Sequence, residues 1–264
     1  MGILNVTPDS FSDGGRYTSV EQAVDHALQM QEDGAAIIDV GGESTRPGAA
    51  SVSAEEELQR VIPVIEKLND VLDIPVSIDS SKAEVMRAAV AAGAAMLNDV
   101  YALRQDHALS TAAELSVPVC LMHMRGEPRN MQDQPEYIGG VVGEVREFLQ
   151  QRIMACQAAG IKDENIIIDP GFGFGKTLEQ NYQLLRNLSA LSDLGCSLMV
   201  GLSRKSMFGK LLNLPTDERL PASLAAAVIA MLNGAQLLRV HDVKETRQAV
   251  AVFRACYDPV IQSA

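Results

Sequence analysis

Eight short apolar runs, each ending on polar residues and each followed by a helix-like stretch, constrain this chain more than any other feature. The runs are Ile3-Leu4-Asn5-Val6, Ile37-Ile38-Asp39-Val40, Val76-Ser77-Ile78-Asp79, Met96-Leu97-Asn98-Asp99, Val119 to His123, Ile166-Ile167-Ile168-Asp169, Leu198 to Gly201 and Leu237 to His241. Strands that are apolar on both faces belong in a parallel sheet covered by helices. Eight strand-helix alternations favour an α/β fold closed into a (β/α)8 TIM barrel over an open doubly wound sheet. A Rossmann arrangement needs a glycine fingerprint after an early strand, and Val6-Thr7-Pro8-Asp9-Ser10 does not supply one. A closed barrel brings all strand C-termini to one mouth, so residues far apart in sequence can share a pocket there.

The intervening segments carry helix signals. Leu58, Val61, Ile62, Ile65, Leu68 and Leu72 share one face of segment 53–72, opened by Ser53 with Glu56 three residues on, the spacing of a capping box. Val20, Val24, Ala27 and Leu28 repeat the pattern in segment 19–33. Gly34, Gly93, Gly160 and Gly234 stand where helices should stop. At 264 residues, without low-complexity tracts, the chain reads as one domain spanning 1–264. No apolar run reaches the ~18 residues of a membrane span, and Cys120, Cys156, Cys196 and Cys256 include no CxxC pair, so a soluble cytoplasmic protein is expected. The net charge of -12 argues against nucleic-acid partners, which require a basic face. Segment 223–232 lacks a polar stripe, which predicts a homodimer through this seventh helix; close packing within one subunit is the other explanation.

Several strand-end groups suit chemistry. Asp79, Asn98 and Asp169 end strands three, four and six, and buried carboxylates require N-H donors or a cation as partners. Arg46, Arg204, Lys205, Arg239 and His241 concentrate positive charge at the same mouth, which suggests a small anionic ligand. Ser203-Arg204-Lys205-Ser206 ends strand seven at a helix start; Lys205 suits hydrogen bonding, with a Schiff base as the alternative. Asp169-Pro170-Gly171-Phe172-Gly173-Phe174-Gly175-Lys176-Thr177 has neither Walker nor dinucleotide spacing. It reads instead as a loop presenting Asp169 inward and two rings toward a flat ligand. Cysteine and histidine spacing offers no tetrahedral metal site, and His123 reads as an interior histidine. An oxygen-ligated Mg²⁺ held mostly by substrate phosphates, with help from Asn5, remains open.

Gly2 to Gly15, Gly41 to Gly48, Asp169 to Lys176, Gly201 to Ser206 and Arg239-Val240-His241-Asp242, taken together, closely resemble the dihydropteroate synthases over nearly the whole chain. The resemblance implies condensation of 6-hydroxymethyl-7,8-dihydropterin diphosphate with p-aminobenzoate to dihydropteroate and pyrophosphate, with Mg²⁺ as cofactor and sulfonamides as inhibitors. It also implies roles: Asp79, Asn98, Asp169, Lys205 and Arg239 for the pterin; Asn5, Arg239 and His241 for pyrophosphate, with Asn5 at the metal; and Phe11, Thr45, Pro47, Phe172 and Ser206 for p-aminobenzoate. The same resemblance assigns catalysis to Asp79, Lys205 and Arg239, with departure of pyrophosphate leaving a cation on the pterin methylene. Two alternatives stand beside it: a phosphosugar aldolase using Lys205, and a pterin-holding module like those of corrinoid methyltransferase systems.

Overall fold

A computed structural model describes residues 1–7, 16–44, 52–126, 131 and 135–257. Eight parallel strands run in sequence order: β1 (Gly2–Asn5), β2 (Ile38–Gly41), β3 (Val76–Asp79), β4 (Met96–Asp99), β5 (Val119–Met122), β6 (Ile166–Asp169), β7 (Ser197–Val200) and β8 (Leu237–Leu238). Helices alternate with them: α1 (Arg16–Glu32), α2 (Ala54–Val71), α3 (Ala83–Ala91), α4 (Ala108–Leu115), α5 (Val141–Ala158), α6 (Leu178–Arg186), α7 (Ser206–Leu212), α8 (Leu220–Leu232) and α9 (Val243–Tyr257). All eight expected strands form, and the sheet curls so that β8 approaches β1. Gly2 and Val240 make a parallel bridge, with the Ile3 N-H donating to the Val240 carbonyl at 2.9 Å and the Val240 N-H to the Met1 carbonyl at 3.0 Å. The fold is therefore α/β: eight parallel strands in a curled sheet, jacketed by helices.

Strand parity separates two interiors, because side chains two residues apart share a face. Leu4, Ile38, Val40, Ile78, Leu97, Leu121, Ile168, Val200 and Leu238 belong to the large apolar core that also takes in the helices. The opposite parity builds a smaller cluster, in which Met1, Met96, Cys120 and Met199 meet Ile37, Ile167 and Leu237. Two residues further along four of these strands stand Asp39, Asn98, Asp169 and Arg239. The inner face thus changes from thioether and aliphatic to charged toward the strand C-termini. Register carries the rim from strand to strand: Asn5 pairs with Gly41, Gly41 with Asp79, Asp79 with Asn98, and further round Met122 with Asp169.

The helix ends follow local chemistry. Ser53 caps α2, its hydroxyl accepting the Glu56 N-H at 3.2 Å. Glu56, however, pairs with Arg60 instead of reaching back, so only half of the expected capping box forms. A complete box occurs at α6, where Thr177 and Gln180 satisfy each other's backbone N-H. The apolar segment 223–232 lies in α8, the eighth helix, because the short α7 precedes it. One face of α8 (Ser223, Ala226, Ala227, Ala230) is buried, while Ile229 and Leu232 are exposed at 42% and 51%.

Candidate active site

At the C-terminal rim a charged cluster assembles from five strands. Arg239, just beyond β8, donates through Nε to Asp39 Oδ2 at 2.6 Å and through one terminal nitrogen to Asp79 Oδ2 at 2.7 Å. Asn98 on β4 donates from Nδ2 to the same Asp39 oxygen at 2.9 Å. The guanidinium is therefore clamped between carboxylates 160 and 200 positions away in sequence. Burial works against its charge, yet Asp39 and Asp79 outweigh that and raise its pKa. Burial lifts Asp79 to about 7 in spite of Arg239, with Asp39 and Asp99 adding to the push.

On the far side of the mouth Asp169 accepts the Gly171 N-H at 2.8 Å. Burial raises its pKa, opposed by that hydrogen bond, Lys205 and Arg239. Lys205 reaches over the ring of Phe174, its Nζ 4.4 Å from the centroid. Burial lowers this amine to about 8, with Asp169 pulling the other way. His241 engages Ser203: the backbone N-H donates to Oγ at 3.2 Å, and Nδ1 lies 3.1 Å from the same hydroxyl. Burial, Arg239 and Arg204 depress the imidazole to about 4, so it is neutral at physiological pH. Asn5 ends β1 half-buried, and Ser206 opens α7 exposed.

The structure thus brings Asp79, Asn98, Asp169, Lys205, Arg239 and His241 to one end of the strands, with Asn5 in the same register row. Phe172 is a correction. It has no exposure and packs in the large core. The adjacent ring Phe174 sits with Val100, Met122, Met124 and Met131 beside Lys205. Phe11, Thr45 and Pro47 lie outside the described residues. Sequence reasoning missed Asp39, although its parity with Ile37 and its place in an apolar run were a readable signal. It also missed Glu57, fully buried on α2, which with Glu43 holds Lys82; the Lys82 Nζ to Glu57 distance is 2.5 Å.

A second buried cation lies behind the mouth. Lys176, 2% exposed, donates to the carbonyls of Gly171 at 2.8 Å and Phe174 at 3.0 Å, and lies 3.0 Å from His123 Nδ1. Burial lowers Lys176 to about 7, and burial together with Lys176 lowers His123 to about 2. His123 is thus an interior histidine with a partner. The unfolded lysine titrates near its ordinary value of 10.5, so the unfolded chain holds an extra proton between about 7 and 10.5. Stability therefore rises with pH across that window, by up to about 1 kcal/mol per pH unit, and is lost as pH falls toward 7. Lys176→Met is expected to flatten this rise, leaving the part above about 8 that Lys205 contributes. Urea unfolding from pH 7 to 9.5 checks it, and parallel curves for the two proteins would exclude Lys176 as the titrating group.

Comparison with known proteins fits this construction. The model of the family described as "Pterin binding enzyme" matches residues 1–241. Over 255 residues the chain is 54% identical to the dihydropteroate synthase of Escherichia coli (strain K12), covering 97% of this chain and 90% of that one. Among solved structures, the Yersinia pestis dihydropteroate synthase with a sulfonamide drug superposes with a TM-score of 0.92 at 52% identity, covering 97% and 93% of the two chains. The Xanthomonas albilineans enzyme with 4-aminobenzoic acid gives 0.91 at 54% identity, with coverage of 97% and 92%. The chain belongs to the pterin-binding enzymes and, within them, to the dihydropteroate synthases, which are transferases. Aldolase and methyltransferase-module readings of the same fold fall away at this level of identity.

Proposed function

We propose that the chain joins 6-hydroxymethyl-7,8-dihydropterin diphosphate to p-aminobenzoate, releasing pyrophosphate, on a single catalytic domain over residues 1–264 whose eight strands close into a (β/α)8 barrel. The Gly2–Val240 bridge supports closure. The observation that carries the reaction is the convergence of Asp79, Asn98, Asp169, Lys205 and Arg239 on one rim. Acceptors and cationic donors interleaved around one rim suit a flat heterocycle with N-H donors and a carbonyl, joined to an anionic tail.

Charge dictates the mechanism. The bond from the pterin methylene to the diphosphate oxygen breaks with its electrons going to oxygen, and the cation left behind delocalises into the ring. Asp79 stabilises that cation, while Arg239 and the neutral imidazole of His241 donate to the departing diphosphate. The arylamine nitrogen, already unprotonated at neutral pH, then bonds to the methylene and loses a proton to solvent. Asp169, Asn98 and Lys205 hold the ring edge, and Phe174 replaces Phe172 as the ring of this loop that borders p-aminobenzoate beside Ser206. The p-aminobenzoate and sulfonamide complexes of the two structural relatives support this subsite.

Mg²⁺ fits the donor chemistry here in one limited way. The Asn5 amide oxygen and Asp79 Oδ2 lie 3.9 and 3.8 Å from the point a Cβ would occupy on Gly41, so two hard oxygens flank a position without a side chain. No cluster of three or more His, Cys, Asp or Glu able to hold a metal occurs among the described residues. An ion bound there would rely on Asn5, diphosphate oxygens and water, and it supplies charge neutralisation of the leaving group.

Pyrophosphate release only when both substrates are present is the expected result, with sulfonamide inhibition relieved by added p-aminobenzoate. Release with the pterin diphosphate alone, or inhibition insensitive to p-aminobenzoate, would overturn the reading. No described helix is long and apolar enough to cross a membrane. The four free cysteines fit a reducing cytoplasm. Ile229 and Leu232 on α8 and Val252 on α9 support a homodimer through these helices; sedimentation as a monomer at micromolar concentration would reject it.

A further inference from the structure

We propose that Asp39 is a positioning residue that fixes which end of the Asn98 amide faces the substrate, and thereby makes this position select for a ring N-H. Asp39 projects from the middle of β2 into the strand interior with no exposure. Nothing in the proposed chemistry gives it contact with a reacting atom. Its Oδ2 receives two donors, Arg239 Nε at 2.6 Å and Asn98 Nδ2 at 2.9 Å.

The inference follows from what a carboxylate can do. Ion-paired to Arg239, its oxygens accept and do not donate, so the Asn98 atom facing it must be the NH₂ group. A free asparagine side chain can turn either way, because its two ends are nearly equal in shape. Here the turn that puts oxygen against oxygen would set two acceptors face to face in a buried site and lose a charge-assisted hydrogen bond. Asn98 is itself 3% exposed, and among the described residues its Oδ1 makes no hydrogen bond. The acceptor end is therefore held away from Asp39 and open to a ligand, while one of the two amide N-H groups is committed to the carboxylate. A ligand N-H is welcomed there, and a ligand carbonyl or ring nitrogen meets a lone pair. Asp39 acts on Arg239 in the same way, since its grip on Nε sets the plane from which the terminal nitrogen reaches Asp79.

Asp39 Oδ1 is buried with no hydrogen-bond partner among the described residues, and this makes the idea testable by an isosteric change. In Asp39→Asn the oxygen can keep the Oδ2 place and still accept from both Arg239 and Asn98. The new NH₂ takes the place of an atom that bonds nothing. Asp39→Ala removes the acceptor altogether and frees the amide.

The inference rests on the pterin reading of the site, and the experiment separates the two. Dissociation constants for 6-hydroxymethyl-7,8-dihydropterin diphosphate are measured by calorimetry on the full chain and on Asp39→Ala, Asn98→Ala, the double variant and Asp39→Asn, with thermal unfolding alongside. Failure of the unsubstituted chain to bind would defeat the pterin reading itself. Given binding, Asp39→Ala and Asn98→Ala should each weaken affinity about 10- to 100-fold, and the double variant should lie within about 3-fold of the weaker single one. Asp39→Asn should stay within about 5-fold of the unsubstituted chain. Additive losses in the double variant, or a loss in Asp39→Asn matching that of Asn98→Ala, would overturn the proposal. The second comparison decides the matter even if Asp39→Ala does not fold.

Discussion

Arg239→Ala is expected to lower kcat/KM by at least ~1000-fold, because one guanidinium both shapes the site and meets the charge that develops on the leaving group. In the folded protein Arg239 is the shared counter-charge of Asp39 and Asp79. Its removal leaves two inward carboxylates unpaired, and breaking a buried pair from one side costs about 3–5 kcal/mol. Part of that cost will be relieved by protonation of Asp79, whose pKa is already lifted to about 7 by burial. The variant therefore loses the anion proposed to stabilise the pterin cation as well as the group proposed to hold the diphosphate. Arg239→Lys keeps the charge but not the two-armed donor, so it cannot reach both carboxylates, and a loss of about 100-fold is expected. Steady-state kinetics with urea unfolding at pH 7.5 separates the two effects. Turnover of Arg239→Ala within tenfold of the unsubstituted chain would remove Arg239 from the mechanism.

Strand positions were legible in the sequence because they depend on short-range composition. Each of the eight runs is apolar on both faces, and the structure places a strand on every one. The strand-end polar residues followed from topology: once eight parallel strands are granted, Asp79, Asn98, Asp169 and Arg239 must share a rim. What escaped depended on direction within a loop or on a partner distant in the chain. Phe172 and Phe174 are two residues apart in a glycine-rich loop, and nothing in their spacing tells which ring turns inward. The positive φ of Gly171 and Gly173 breaks the alternation that would decide it in a strand. Asp39 was visible as a carboxylate in an apolar run, but its meaning came only with Arg239, 200 residues away. Lys176 carried no reading of its own in a loop without nucleotide-binding spacing. Its burial is possible because the loop folds two of its own carbonyls onto the amine. The split of the seventh crossover into α7 and α8 was also hidden, since Asn213 ends α7 in a left-handed conformation that glycine usually marks.

Gly171→Ala is expected to destabilise the fold by about 2–5 kcal/mol, and the loop's geometry shows why. Gly171 has a φ of +69, which alone costs an L-residue about 1–2 kcal/mol. A Cβ built there would stand 1.9 Å from the carbonyl oxygen of His123 and 3.0 Å from its carbon. Those are backbone atoms held by β5 and β6, where the His123 N-H donates to the Asp169 carbonyl at 2.8 Å, so they cannot swing aside as a flexible side chain would. Gly171 must move instead, and three hydrogen bonds move with it: its N-H to Asp169 Oδ1, and its carbonyl to Lys176 Nζ and to the Phe174 N-H. Forced overpacking of this kind costs about 1–3 kcal/mol beyond the backbone penalty. For a chain of this size the sum corresponds to a fall in Tm of roughly 10 °C. Because Asp169 loses its N-H donor, pterin affinity should fall with stability. Gly195→Ala provides the control: its φ is +74, but no atom lies within 4 Å of the added carbon, so only the backbone cost of about 1–2 kcal/mol remains. Calorimetric melting of the two variants checks the argument. Equal losses would mean that the contact with His123 carries no weight, and a Tm for Gly171→Ala within 2 °C of the unsubstituted chain would mean that the loop yields freely.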